Sequence, residues 1–177
     1  FIYILIVLYN MKTDLYYFHQ TPRTLARVII DDIEWQDGEN VLEPFKGEGN
    51  LFNQLPNNVN KYYTEIEEGL CYTTFDFDEV KINTIISNPP FRIDGKNCFF
   101  KLVEYFSTKN IDRIIFLCND YCFTSLTGKR MKKINDNGFY LNKITGVNIK
   151  QWRGQYYVVT FGRIPNLSFQ YFLNTFE

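Results

Sequence analysis

Short apolar runs alternate along this chain with stretches whose apolar residues recur at helical spacing, and that alternation predicts an α/β protein with a mainly parallel sheet covered on both faces. Two further observations agree with it. The sequence has no internal repeat, low-complexity tract or linker that would divide it. Its chemically distinctive residues also follow the ends of predicted strands, where open parallel sheets bind ligands.

The elements follow in order. Thr21-Pro22 opens a helix, with Thr as N-cap and Pro at the first helical position. Leu25, Val28, Ile29 and Ile33 then form its apolar stripe. Residues 40–43 read as a strand ending in Glu43-Pro44 and a loop with Gly47 and Gly49. Leu51, Phe52 and Leu55 predict a helix stopped near Pro56. Strands are expected over 61–66, 82–87, 113–117, 140–147 and 156–161, and helices over 97–107 and 129–137. Little room remains between Glu65 and Ile82, so a third strand-and-helix unit is expected to be reduced.

Composition narrows the function. The 177 residues are 45% hydrophobic, 18% aromatic and 22% charged, with a net charge of −1. A single domain of this size buries roughly two-thirds of its unfolded surface and needs no staple. The balance excludes a disordered tail and a protein that grips nucleic acid by bulk charge alone. Cys71, Cys98, Cys118 and Cys122 form no C-x-x-C pair, and His19 is the one histidine, so no metal site is expected. Reduced thiols fit an intracellular, cytoplasmic setting. The apolar run 1–9 is too short to span a membrane and lacks the flanks of a signal peptide. Residues 1–10 read as an upstream extension of the reading frame or a disordered tail, and 11–177 as one domain.

Three strand ends carry chemistry. In Glu43-Pro44-Phe45-Lys46-Gly47-Glu48-Gly49 the glycines let backbone approach a ligand closely. Glu43 and Glu48 would repel a pyrophosphate and suit a ligand with a positive centre. Glu65, after the next strand, can accept both hydroxyls of a ribose. Asn88-Pro89-Pro90-Phe91 is the most specific signal. Its prolines fix two φ angles and remove two donors, leaving carbonyls as acceptors. Asn88 and the Pro89 carbonyl can together accept both hydrogens of a planar exocyclic amine, with Phe91 stacked on the ring that bears it.

A glycine loop of the form Glu-Pro-x-x-Gly-x-Gly, an acidic strand end and then Asn-Pro-Pro-Phe resemble the S-adenosylmethionine-dependent amino-methyltransferases. The Leu42-Glu43-Pro44 form is most like the DNA N6-adenine methyltransferases, and the motif order, with Gln20-Thr21-Pro22 upstream, is similar to their γ-type arrangement. The resemblance spans roughly residues 17–161 and is nearest to short, stand-alone phage, viral and prokaryotic versions, including those of restriction-modification systems. It implies a Rossmann-like class I methyltransferase fold with an antiparallel late strand. It implies S-adenosyl-L-methionine as cofactor, contacted at its methionine end by Gln20, Thr21, Pro22, Glu43, Pro44, Gly47 and Gly49. It further implies Glu65 on the ribose, Ile66 on the adenine, Asn88, Pro89, Pro90 and Phe91 as the catalytic motif, and Trp152 packing on the target base.

Two departures bear on that carry-over. The acid-aromatic pair that borders the cofactor's adenine is either Asp76-Phe77, which has the right residues close to Asn88, or Cys71-Tyr72, which is better placed with the wrong acid. No separate target-recognition domain is expected, so specificity would come from residues 121–137, from a partner subunit, or be loose. The basic cluster Lys129, Arg130, Lys132 and Lys133 reads equally as a phosphate contact or a solvated helix face. DNA is the expected partner, with no membrane role. The alternatives are an RNA adenine or guanine acceptor, a protein glutamine acceptor, or an inactive nucleic-acid-binding partner subunit.

Overall fold

The computed structural model describes residues 20–176 apart from Asp94, so the expected extension 1–10 lies outside the described residues. Helix α1 (Arg23–Asp31) leads into β1 (Asn40–Glu43) and β2 (Asn60–Tyr63). β3 (Thr84–Ser87) is followed by a small hairpin, β4 (Arg92–Ile93) and β5 (Lys96–Asn97), and by α2 (Phe99–Ser107). β6 (Arg113–Asn119), α3 (Asp120–Phe123), α4 (Gly128–Asp136), β7 (Tyr140–Ile149), β8 (Tyr156–Gly162) and β9 (Ser168–Phe176) complete the chain.

Among the described residues, seven strands form a sheet with the order β2-β1-β3-β6-β8-β7-β9. β2, β1, β3 and β6 run parallel, β8 is antiparallel to both β6 and β7, and β9 is parallel to β7. This is the expected mainly parallel sheet with one antiparallel late strand. The reduced third unit also appears. Among the described residues, the segment between β2 and β3 holds two 3-10 turns, Ile66–Glu68 and Tyr72–Thr74, and no strand.

Side chains alternate across the sheet with period two. Leu42, Ile85, Ile114 and Phe116 face a core built on Phe99, Leu102, Val103 and Phe106 of α2. Val41, Ile86, Ile115 and Leu117 face the opposite core, built on Leu25, Ala26, Ile29 and Ile30 of α1. Both faces are thus covered, as a parallel sheet requires.

Three local expectations are corrected, and one strand is unanticipated. The α1 cap is Pro22, not Thr21: Pro22 is extended (φ −54, ψ 137) and its carbonyl accepts the Ala26 amide at 2.9 Å. The helix expected around Leu51–Leu55 is one 3-10 turn, Phe52–Gln54, because Pro56 lacks an amide and bars the residue before it from continuing. The second strand ends at Tyr63, since Glu65 caps the turn that begins at Ile66. β9 has no counterpart among the expected strands. Its parallel pairing with β7 is a long-range choice that local periodicity does not signal.

At the sheet's amino edge, Arg113 donates to both Glu39 oxygens at 2.7 and 2.9 Å and to Thr84 Oγ1 at 2.6 Å. Glu39 is buried, so removing the guanidinium strands a charge. Arg113→Met is expected to cost about 3–5 kcal/mol in urea melts. Adding Glu39→Leu is expected to recover most of that loss. A single-variant cost below about 1 kcal/mol, the range of exposed pairs, would contradict the assignment.

Candidate functional site

The carboxyl ends of β1, β2, β3, β6 and β7 share one edge of the sheet, together with the start of antiparallel β8. Connections leaving that edge carry Glu43–Gly49, Glu65–Ile66, Asn88–Phe91 and Trp152, and α1 brings the helix-opening Gln20-Thr21-Pro22 to the same place. A cleft there is lined by Gln20, Thr21, Glu43, Phe45, Asn50 and Asn88, among others.

Glu43 ends β1 with only 2% of its surface exposed. The Phe52 backbone amide lies near its carboxylate, while Oε2 has no hydrogen-bond partner among the described residues. Burial is the main force pushing its pKa well above the ordinary carboxylate value. The Glu65 charge adds to the rise, and the Phe52 amide and Lys46 oppose it. A buried carboxyl with an idle oxygen, at the edge of a cleft, is arranged to receive a cation.

The glycine loop is held from several sides. Gly47 has φ +52, and its amide donates to Glu65 Oε2 at 2.5 Å. Glu65 Oε1 accepts the Glu67 amide at 3.2 Å, so one carboxylate ties the loop to the turn after β2. Gly49 has φ +77, and an added Cβ would lie 3.0 Å from Asn53 Nδ2. Pro44's carbonyl accepts the buried Thr64 hydroxyl at 2.7 Å. Lys46 is drawn aside, its ammonium 2.6 Å from Glu68 and 3.6 Å from the Tyr63 ring centre. Thr21 is buried, and its carbonyl accepts a hydrogen bond from the Asn50 side-chain Nδ2 at 2.9 Å, which binds the α1 entrance to the glycine loop.

Asn88, Pro89 and Pro90 follow β3 directly, and Asn88 is 8% exposed. Phe91 begins an aromatic row. Its ring centre lies 6.3 Å from that of Tyr156, which lies 4.8 Å from that of Trp152. Trp152 comes from the β7–β8 connection, whose Gln155 amide and carbonyl meet Asp120. The structure therefore brings Trp152 to the Asn88–Phe91 segment through Tyr156.

The two candidate pairs on the β2–β3 connection are placed differently. Tyr72 packs on Phe45 of the glycine loop at 5.0 Å, and on Tyr105 and Phe106. Asp76 Oδ1 accepts the amides of Asp78 and Glu79, capping its own turn. Phe77 packs on Phe75 and Phe106, with Lys109 over its ring. Ile66 is half-buried in the turn beside Glu65.

Sequence reasoning does not single out Asn50, Thr64, Cys98 or Tyr156. Asn50 and Thr64 act through backbone carbonyls of residues far along the chain, which no local pattern marks. Tyr156 is legible only as a strand residue.

No family model matches the sequence, and no curated protein matches it. Solved structures do resemble the fold. A chain of the Mtq2–Trm112 complex of E. cuniculi, which methylates a translation termination factor, superposes with a TM-score of 0.60 at 13% identity, over 82% of this chain and 97% of that one. A Listeria monocytogenes protein named as a class I S-adenosylmethionine-dependent methyltransferase gives 0.59 at 14% identity, over 94% and 70%. A Vibrio vulnificus YJ016 protein named as a modification subunit of a type I restriction enzyme gives 0.58 at 17% identity, over 85% of this chain. The chain spans 46% of that subunit's length.

Glu43 gives a pH-dependent prediction. Its raised folded-state pKa means that the protonated side chain favours the fold at acid pH, and this contribution fades as pH rises through that pKa. Glu43→Gln should match wild-type Tm at low pH and exceed it at higher pH, by about 2–4 °C for each kcal/mol of burial cost removed. Equal Tm values across the whole pH range would contradict the buried-carboxyl account. Together, strand order, direction and superposition establish the Rossmann-like fold of the class I methyltransferases.

Proposed function

We propose that this chain transfers a methyl group from S-adenosyl-L-methionine to the exocyclic N6 of adenine in DNA. The observation that carries the reading is the convergence of Gln20-Thr21, Glu43 and Asn88, which are far apart in sequence, on one cleft at the carboxyl edge.

The residues fit the cofactor. Its methionine end is cationic, and Glu43 offers a buried carboxylate with an idle oxygen. Pro22, Pro44, Gly47 and Gly49 shape the backbone around it. Glu65 lies one hydrogen bond from the glycine loop, in reach of a ribose beside that loop, and Ile66 supplies an apolar surface for the adenine. Tyr72 is the better candidate for the adenine's second border, because its ring touches Phe45; Asp76 and Phe77 are the alternative pair.

Bound there, S-adenosylmethionine supplies an electrophilic methyl group on a sulfonium. The chain's own part is orientation. Adenine's amine is a poor nucleophile because its lone pair is delocalised into the ring. Accepting its two hydrogens at the Asn88 side chain and the Pro89 carbonyl favours the pyramidal amine that attacks, with a carbon–nitrogen bond forming as the carbon–sulfur bond breaks and one amine proton then passing to water. Pro90 holds that carbonyl's direction. Phe91 stacks on the base, and Trp152 extends the aromatic wall through Tyr156.

A nucleic-acid acceptor is favoured by the surface beside the motif. Exposed Arg92 stacks 5.1 Å from the exposed Tyr121 ring, and Lys96, Lys150 and Arg153 are exposed on neighbouring segments of the same edge. Of the basic cluster on α4, Lys132 pairs with Asp136 and Lys133 with Glu104, which leaves that helix a smaller role. A partner subunit would supply sequence recognition. Cys98, Cys118 and Cys122 are buried free thiols, which suits a reducing, intracellular setting.

Purified protein incubated with methyl-labelled S-adenosylmethionine should label unmethylated DNA as N6-methyladenine. Asn88→Ala should lower kcat about 10²–10³-fold, as removal of one preorganised contact does. Label in RNA or a protein extract, with none in DNA, would contradict the proposed acceptor. Failure to bind the cofactor would contradict the reading altogether.

A further inference from the structure

The Asn88–Phe91 segment is followed by a hairpin that turns the chain back on itself. Arg92 pairs with Asn97 and Ile93 with Lys96, and Gly95 makes the reversal with φ +68. The hairpin returns Cys98 to the segment. The Cys98 thiol donates to the Pro90 carbonyl at 2.9 Å, and the Cys98 amide donates to the Phe91 carbonyl at 3.4 Å. One residue thereby holds two consecutive carbonyls of the motif.

The side chain's direction is informative because Cys98 is also the N-cap of α2, where Ser, Thr, Asp or Asn would satisfy the helix. Cys98 makes no side-chain cap. Asn97 covers the helix end in its place. Its Oδ1 accepts the Phe99 amide at 3.0 Å, while its Nδ2 donates to the Tyr121 carbonyl at 3.0 Å. A local rule broken at the cap, with a neighbour covering the helix end, marks a position selected for something other than the helix. Cys98 is 5% exposed, so water does not compete for its bond. Burial pushes the thiol up to about 12, which keeps the donor proton in place across the physiological range.

We propose that Cys98 is a positioning residue: its thiol and amide clamp the Pro90 and Phe91 carbonyls, which sets the direction of the Pro89 carbonyl and the tilt of the Phe91 ring. The Pro89 carbonyl, which Cys98 does not engage, is left with Asn88 for the acceptor amine. This inference rests on the transferase reading and adds to it a residue outside the motif that fixes its geometry.

Cys98→Ala and Cys98→Ser in the full chain test it. Cys98→Ala should lower kcat about 10–100-fold, the scale of a misplacement near 1 Å. Cofactor Kd and Tm should stay close to wild type. Cys98→Ser should restore kcat to within about threefold of wild type, because a hydroxyl donates where the thiol did. A wild-type kcat in Cys98→Ala, or equally slow Ala and Ser variants with native Tm, would overturn the proposal.

A spectroscopic arm separates the clamp from the transferase reading. The Raman S–H stretch of Cys98, isolated as the wild-type minus Cys98→Ser difference, should lie below the band of a free thiol. A band at the free-thiol position overturns the clamp whether or not methyl transfer is seen. A lowered band in a chain that methylates no acceptor supports the clamp and overturns the transferase reading instead.

Discussion

Parallel strand pairing is the constraint on which the site depends. Strands that run the same way release their connections at the same edge, so residues 43, 65 and 88 reach one edge although no local structure joins them. The antiparallel β8 adds to that edge from the other direction. Its first residue, Tyr156, arrives where β3 and β6 end, between Phe91 and Trp152. The cores on the two faces hold this arrangement with alternating side chains, which frees the edge for polar chemistry.

What the edge holds is costly to the fold. Glu43 is buried with an idle carboxylate oxygen, and its raised pKa records that cost. The Glu65 carboxylate is engaged by the glycine loop and the following turn, and the Lys46 ammonium is held by Glu68 and the Tyr63 ring. Acidic groups are thus kept near the cleft, while the loop's own cation, Lys46, which also lines it, is paired with Glu68. The pattern suits a cationic ligand and disfavours a pyrophosphate. Polar groups that lower stability without a partner are ordinary where a ligand completes the set.

Much of this is legible in the sequence, because β6 is an apolar run, β1 and β3 each carry an apolar pair at their centre, and motif residues follow β1 and β3 directly. The Asn-Pro-Pro-Phe segment is readable because two prolines leave the backbone few options. The shortened unit between β2 and β3 follows from chain length alone. Other features are not legible. The turn at Phe52–Gln54 carries helical apolar spacing, yet Pro56 ends it within one turn. β9 pairs with a strand more than twenty residues earlier, and that register is set by tertiary contact. In the sequence Cys98 looks like an ordinary buried thiol, and Asn50 and Thr64 like loop residues, because their partners are carbonyls brought near only by the fold.

The central claim is that one cleft holds the cofactor's cationic end against Glu43 and its methyl group towards Asn88. A crystal structure of the chain with S-adenosylhomocysteine tests it most directly. The account predicts the ligand's amino group beside Glu43 and Thr21, its ribose hydroxyls on Glu65, and its sulfur facing Asn88 and Pro89. A ligand bound elsewhere, or one whose ribose and methionine ends are reversed along the edge, would contradict it.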